Sequence, residues 1–168
     1  MKKSHVFTYK WIISGGICLF IFSSCGKVGS SAVATIALCP SLEGNWSACF
    51  QTDTNKSQQI TINADATSLV ETFYEFSPAI DCTGAGSQTM QFNATYTFGA
   101  PRASTRVPGA TDAAIKPNVD FGCGVGAESY TVIHFAPDCL SFSPGNGTPG
   151  CTPDTAPTDL APFSFNKF

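Results

Sequence analysis

The sequence predicts an all-β protein, an antiparallel meander folded as a barrel or a sandwich, on three observations. Between residues 89 and 98 the apolar Met90, Phe92, Ala94, Tyr96 and Phe98 alternate with the polar Gln91, Asn93, Thr95 and Thr97. That is the period of a strand with one dry and one wet face. Short segments of similar character recur between Gly- and Pro-rich turns, and no stretch of ten residues carries helical periodicity. Six cysteines beyond residue 25 (Cys39, Cys49, Cys82, Cys123, Cys139 and Cys151) form an even set suited to disulfides that brace a small exported domain.

The chain opens MKKSHVFTYKWIISGGICLFIFSSC. Lys2, Lys3 and Lys10 make a basic start, and residues 11–22 form an apolar run broken only by Ser14 and the Gly15–Gly16 pair. This run falls short of the ~20 apolar residues of a spanning helix and reads as the core of a signal peptide. It ends in Ile21-Phe22-Ser23-Ser24-Cys25, which resembles the lipobox of bacterial lipoproteins, with Phe22 where that family usually carries Leu. The resemblance implies that the Cys25 sulfur receives a diacylglycerol, that the peptide bond before it is cut, and that the new amino terminus is acylated. Several such chains, at about 0.8 kcal/mol per buried methylene, would hold the protein firmly on a membrane. The implied location is the bacterial cell envelope, the outer membrane ahead of the inner. The expected organisation is a signal peptide over 1–24, a flexible tether over 25–40 of small, weakly polar residues, and one all-β domain over 41–168.

Within that domain, residues 42–50 (LEGNWSACF) predict a turn running into the first strand. Residues 57–64 (SQQITINA) alternate, with Ile60 and Ile62 on one face. Residues 67–77 (TSLVETFYEFS) are rich in β-branched and aromatic side chains. A helix there would set Glu71 and Glu75 one turn apart with like charge, so a strand is expected. The alternating strand 89–98 follows. Residues 99–116 contain Pro101, Pro108 and two glycines and predict a long loop, with room for a short strand or helical turn. Residues 128–136 (ESYTVIHFA) predict a strand that 139–142 continue after a kink at Pro137. Residues 143–157 have turn composition throughout, and 160–168 (LAPFSFNKF) close the domain as a last strand with Phe163 and Phe165 on one side.

Charge excludes some partners. Three of the nine basic residues precede Cys25 and all twelve acids follow it, so the exported part is acidic. Its cations (Lys27, Lys56, Arg102, Arg106, Lys116 and Lys167) are scattered, whereas nucleic acid demands clustered ones, and no nucleic-acid partner is expected. No metal is expected either, since there is no C-x-x-C and His134 is the only histidine beyond Cys25. Residues 122–127 (GCGVGA) nominally satisfy G-x-G-x-x-A, but a strand follows where a dinucleotide site needs a helix. They read as a glycine-rich turn beside a disulfide, and no cofactor is expected. His134, between Ile133 and Phe135, reads as a strand histidine without a nucleophile to serve. Glu71 and Glu75 share a strand face about 13 Å apart. That is beyond the roughly 5–9.5 Å of a glycosidase pair, and they read as surface carboxylates. No catalytic residue is identified.

Gly44-x-Trp46, at the head of the first strand, resembles the G-x-W signature of lipocalin-type barrels, in which the Trp plugs one end of an up-and-down meander. The S-x-x-I-x-I strand, aromatic strand and following cysteine are similar in order to small bacterial lipocalin-like lipoproteins, over residues 42–98. The long loop after Gly99 and the missing C-terminal helix pattern depart from it. The resemblance implies a small barrel, with a sandwich as the alternative, and a Cys49–Cys82 disulfide. The turn-rich stretch between Cys139 and Cys151 favours their pairing, which leaves Cys39 with Cys123.

Two functions stay side by side. The first is an envelope-anchored binding protein that holds a small apolar ligand inside the barrel, with Phe73, Tyr74, Phe76, Phe92, Tyr96 and Phe98 as candidate wall residues. The second is a surface interaction or structural lipoprotein that meets another envelope protein through loops 99–116 and 143–157. A continuous internal cavity would favour the first, and a filled interior the second.

Overall fold

Eight strands run up and down in sequence and close into a ring in the computed structural model, which describes Cys39, residues 41–100 and residues 103–168. They are β1 (Gly44–Asp53), β2 (Lys56–Ala64), β3 (Ser68–Phe76), β4 (Ser87–Phe98), β5 (Thr111–Pro117), β6 (Ser129–Phe135), β7 (Ser141–Pro144) and β8 (Phe165–Lys167). Each pairs antiparallel with the next, and β8 returns to β1. The fold is therefore the barrel rather than the sandwich. The signal peptide, the lipobox with Cys25 and the tether up to residue 38 lie outside the described residues.

The alternation in β4 is realised over residues 91–97, where Phe92, Ala94 and Tyr96 are buried and Gln91, Asn93, Thr95 and Thr97 exposed, while Met90, expected on the dry face, is exposed. Register carries this pattern around the ring. Trp46 faces Ile62 across β1 and β2, Ile62 faces Glu71, and Glu71 faces Phe92, so these side chains point inward together. Gln59, Thr61 and Asn63 join the exposed residues of β4 on the outside. A barrel that crosses a membrane carries the reverse, an apolar exterior.

Three elements differ from expectation, one of them the closing strand, which spans only Phe165–Lys167 and leaves Phe163 in the loop before it. β5 lies in what read as loop, because Ala113 and Ile115 alternate too briefly among small residues to stand out. Residues 139–142 do not extend β6. They turn back at residues 136–140 as the antiparallel β7, with Phe142 opposite Phe135.

The barrel's two ends are built differently. At the lower end, where β1 begins, aromatic rings fill the interior. Trp46 is 1% exposed and meets Phe142 edge-on with ring centroids 5.0 Å apart, and Phe142 stacks on Phe165 at 4.8 Å. Phe98 and Phe135 complete the plug, 6.0 Å apart. The Trp46 indole N–H donates to the Leu42 carbonyl at 2.6 Å, so the polar atom of the buried indole is satisfied. Gly44 holds φ +123°, and a Cβ there would sit 2.6 Å from the Lys167 Cε. The glycine thus lets the Lys167 stem cross the start of β1 on its way to the indole.

All six cysteines are paired, and one of the three expected pairings holds. Cys49–Cys82 ties the outer face of β1 to the β3–β4 loop, with Cα atoms 6.1 Å apart. The other partners are exchanged: Cys39 pairs with Cys139 and Cys123 with Cys151, at Cα distances of 5.5 and 5.2 Å. The reason is topological. The β6–β7 turn puts Cys139 at the lower end, whereas Cys151 belongs to the β7–β8 loop at the upper end. Cys39, expected in the tether, is accordingly buried in the same core cluster as Leu42 and Trp46.

The ring is joined by a narrow seam. β8 pairs with β1 only through Trp46–Lys167 and Ser47–Asn166, and with β7 only through Phe142–Phe165 and Ser141–Asn166. Above it, Phe50 of β1 stacks on Phe163 of the β7–β8 loop, 4.6 Å apart.

Candidate functional site

Above the aromatic floor the interior is hollow. The inward side chains around this space are branched aliphatic and small, notably Ile60, Ile62, Leu69, Ala94, Ile115 and Ile133, and leave a cavity of about 450 Å³. That volume lies within the roughly 300–1,000 Å³ of ligand pockets.

Two upper loops frame its mouth. Phe121, from the loop after β5, meets Phe92 edge-on at 5.0 Å, and the loop after β7 contributes residues 145–149 and Phe163. The Cys123–Cys151 disulfide fastens one loop to the other. Gly122 and Gly124 hold φ of +105° and +100°. In those conformations their N–H groups both reach the Asp120 carboxylate, at 2.7 and 2.8 Å. These two bonds hold the Asp120 carboxyl below its usual range. The GCGVGA segment is a capped turn beside a disulfide, as its composition suggests. On the opposite rim the β3–β4 loop folds down the outside of the sheet. There the buried Ser57 hydroxyl donates to the Ala79 carbonyl at 2.9 Å and accepts from the Cys82 N–H at 3.0 Å.

The structure divides the six candidate wall aromatics. Phe73 and Phe92 line the cavity. Tyr96 and Phe98 point inward but belong to the filled lower end, where their rings lie 5.2 Å apart. Tyr74 and Phe76 do not reach the interior. Their register partners Gln59 and Ser57 place them on the outer face, and Phe76 is covered by the β3–β4 loop against Gly86. Met90, Phe121 and Phe163, none of them among the candidate wall residues, also line the cavity; Met90 continues the apolar face of β4, whereas Phe121 and Phe163 lie in loops.

The larger correction concerns Glu71. It does share a strand face with Glu75, but that face is the inner one. Glu75 sits at the rim and pairs with Lys56 at 3.1 Å, with both side chains well exposed. Glu71 lies deeper, half-buried, between Ile62 and Phe92 and on the cavity wall. Among the described residues it accepts no hydrogen bond and meets no cation. Burial alone pushes its carboxyl up to about 7. The signal was present in the sequence: Glu71 is in phase with Leu69 and Phe73, two inward apolar positions.

His134 lies on the outer face of β6 beneath the β4–β5 loop. A Cβ on Gly109 would come within 3.5 Å of its Nε2, so it is remote from the cavity. A second hollow, of about 370 Å³, lies outside the wall between β5 and residues 153–156, with Arg106 and Asp112 on its lining. Among the described residues no three His, Cys, Asp or Glu side chains are grouped to hold a metal ion. No protein-family model matches the chain, and no curated protein or solved structure matches it significantly.

Proposed function

We propose that this chain is a bacterial cell-envelope lipoprotein without enzymatic activity, which holds a small apolar molecule in the upper half of its barrel. The observation that carries the reading is the cavity of about 450 Å³, whose wall is apolar except for Glu71 and a few polar groups near the mouth. A core built only for stability packs to crystal-like density and leaves no void of this size. Here the aromatic floor meets that demand in the lower half and the upper half does not. The anchor is the lipid on Cys25, supported by the basic, apolar and Ser-Ser-Cys order of the first 25 residues.

Two measurements test this. Diphenylhexatriene, a neutral apolar fluorophore, should bind saturably at one site per barrel and be displaced by decanol. If neither binds, the interior holds no ligand and the loop-mediated role replaces it. Metabolic labelling with an alkyne palmitate should tag the wild type and not Cys25→Ser, and equal labelling of both would remove the anchor.

A further inference from the structure

A single carboxylate in a largely apolar cavity asks for an explanation. An ionised carboxyl loses several kcal/mol of hydration when buried without partners, and a Gln or Leu at position 71 would fill the same space without that cost. The groups that face Glu71 do not compensate it. Ile62 from β2, Phe92 from β4, Ile115 from β5, Thr131 from β6 and Phe165 from β8 all lack charge, and none titrates. On its own strand the nearest charge is Glu75, already engaged with Lys56. Glu71 is thus an acceptor on the wall of a ligand-sized space, with no partner among the described residues.

Resting on the reading of the barrel as a ligand carrier, we propose that its ligand is a lipophilic amine, with the apolar body among the aliphatic and aromatic walls and a single protonated nitrogen paired with the Glu71 carboxylate. The phenyl rings of Phe73 and Phe92, 6.1 Å apart on the same wall, present faces that favour a cation over an anion. The excess of acids over bases beyond Cys25 favours the approach of cations over that of anions. A fatty acid would find no cation in the described cavity wall and would meet Glu71 as a like charge. A neutral alcohol gains one hydrogen bond but leaves the carboxylate charge unmatched. Because the free carboxyl holds its proton up to about pH 7, amine binding must expel that proton below neutrality, and affinity for the amine rises with pH until the carboxyl is fully ionised.

The test uses the full chain loaded with diphenylhexatriene and displaced by decylamine, decanol or decanoate, each below its micellar concentration. At pH 8 decylamine should displace the probe at about tenfold lower concentration than decanol, and decanoate should be the weakest. The advantage of decylamine over decanol should shrink several-fold at pH 5.5 in the wild type, a readout that needs no variant. Glu71→Gln and Glu71→Leu should keep decanol binding and lose the preference for the amine. Equal displacement by all three, a preference for decanoate, or a preference retained by both variants would overturn the amine while leaving apolar binding intact. If neither the probe nor any of the three binds, the carrier reading itself fails.

Discussion

The Lys167 ammonium lies 5.2 Å from the centroid of the Trp46 ring. This contact joins the last strand to the first at the floor of the barrel, where their backbones pair residue for residue. Trp46 is the larger partner in energy. Trp46→Ala should cost about 3–5 kcal/mol by leaving a cavity among Phe135, Phe142 and Leu42, while Lys167→Ala should cost only about 0.5–1 kcal/mol. Urea unfolding followed by circular dichroism measures both. In protein lacking residues 1–24, Trp46 is the sole tryptophan, and its native emission should be blue-shifted and resistant to iodide. Native emission that is red and readily quenched would place the indole at the surface and remove the floor.

Gly44→Ala should destabilise by about 1–3 kcal/mol, because it introduces strain at positive φ and also displaces the Lys167 stem. The two causes separate in a double mutant. Adding Lys167→Ala should recover the part due to the clash and none of the part due to backbone strain. A fully additive cycle would show that the stem moves aside freely.

Non-reducing peptide maps should yield Cys39–Cys139, Cys49–Cys82 and Cys123–Cys151. On a chain-entropy estimate, loops of 100, 33 and 28 residues stabilise by about 4.7, 3.7 and 3.6 kcal/mol respectively. The paired Cys→Ser variant at 39 and 139 should therefore lose most in chemical denaturation. The variant at 123 and 151 should show a second effect that the others lack, faster release of diphenylhexatriene, since it frees the two loops at the mouth.

Glu71 makes a pH prediction whose sign follows from its raised carboxyl. Below the ordinary value of 4.5 both folded and unfolded chains hold the proton, and the residue costs nothing. Between 4.5 and about 7 only the folded chain holds it, so stability falls as pH rises through this window and the deficit persists above it. Its upper bound is about 3 kcal/mol, taken from the size of the shift. Asp65, Asp81 and Asp120, lowered by hydrogen bonds to their carboxylates, act in the opposite sense and at more acidic pH. The difference between wild type and Glu71→Gln isolates the one residue. Glu71→Gln should be the more stable protein at pH 8, with the gap closing toward pH 4.5, and a gap that is flat with pH would show that Glu71 is solvated.

The parts of the fold legible in the sequence are those where side chains of strongly different polarity alternate. β4 shows this over ten residues, and β2 over Gln59–Ile62–Asn63 in the same way. β5 was hidden because Ala113, Ala114 and Ile115 differ too little from one another, and β7 because four residues are too short to show a period. Disulfide partners depend on which end of the barrel each loop occupies. Cys139 and Cys151 are near neighbours along the chain, but the rise of β7 carries them to opposite ends. Glu71 was misplaced by its chemistry: a carboxylate reads as surface, and only its phase with Leu69 and Phe73 says otherwise. The cavity lay beyond the sequence altogether, because an aromatic such as Phe98 fills a core and one such as Phe73 lines a space with the same pattern.

The two-pair seam between β1 and β8 has a consequence for the order of events during synthesis. β1 through β6 can each pair with a neighbour as soon as it follows in the chain, giving an open ribbon whose first strand has one bare edge. That edge must wait for Phe165–Lys167, made after the other seven strands, and contacts between such distant segments form slowly. Until they form, the Trp46 side of the ribbon exposes its aromatic face and an unpaired backbone, the features by which partly folded β chains associate. Cys39, next to that edge, cannot be oxidised to its own partner until Cys139 has been made. The earlier cysteines offer it wrong partners throughout that interval.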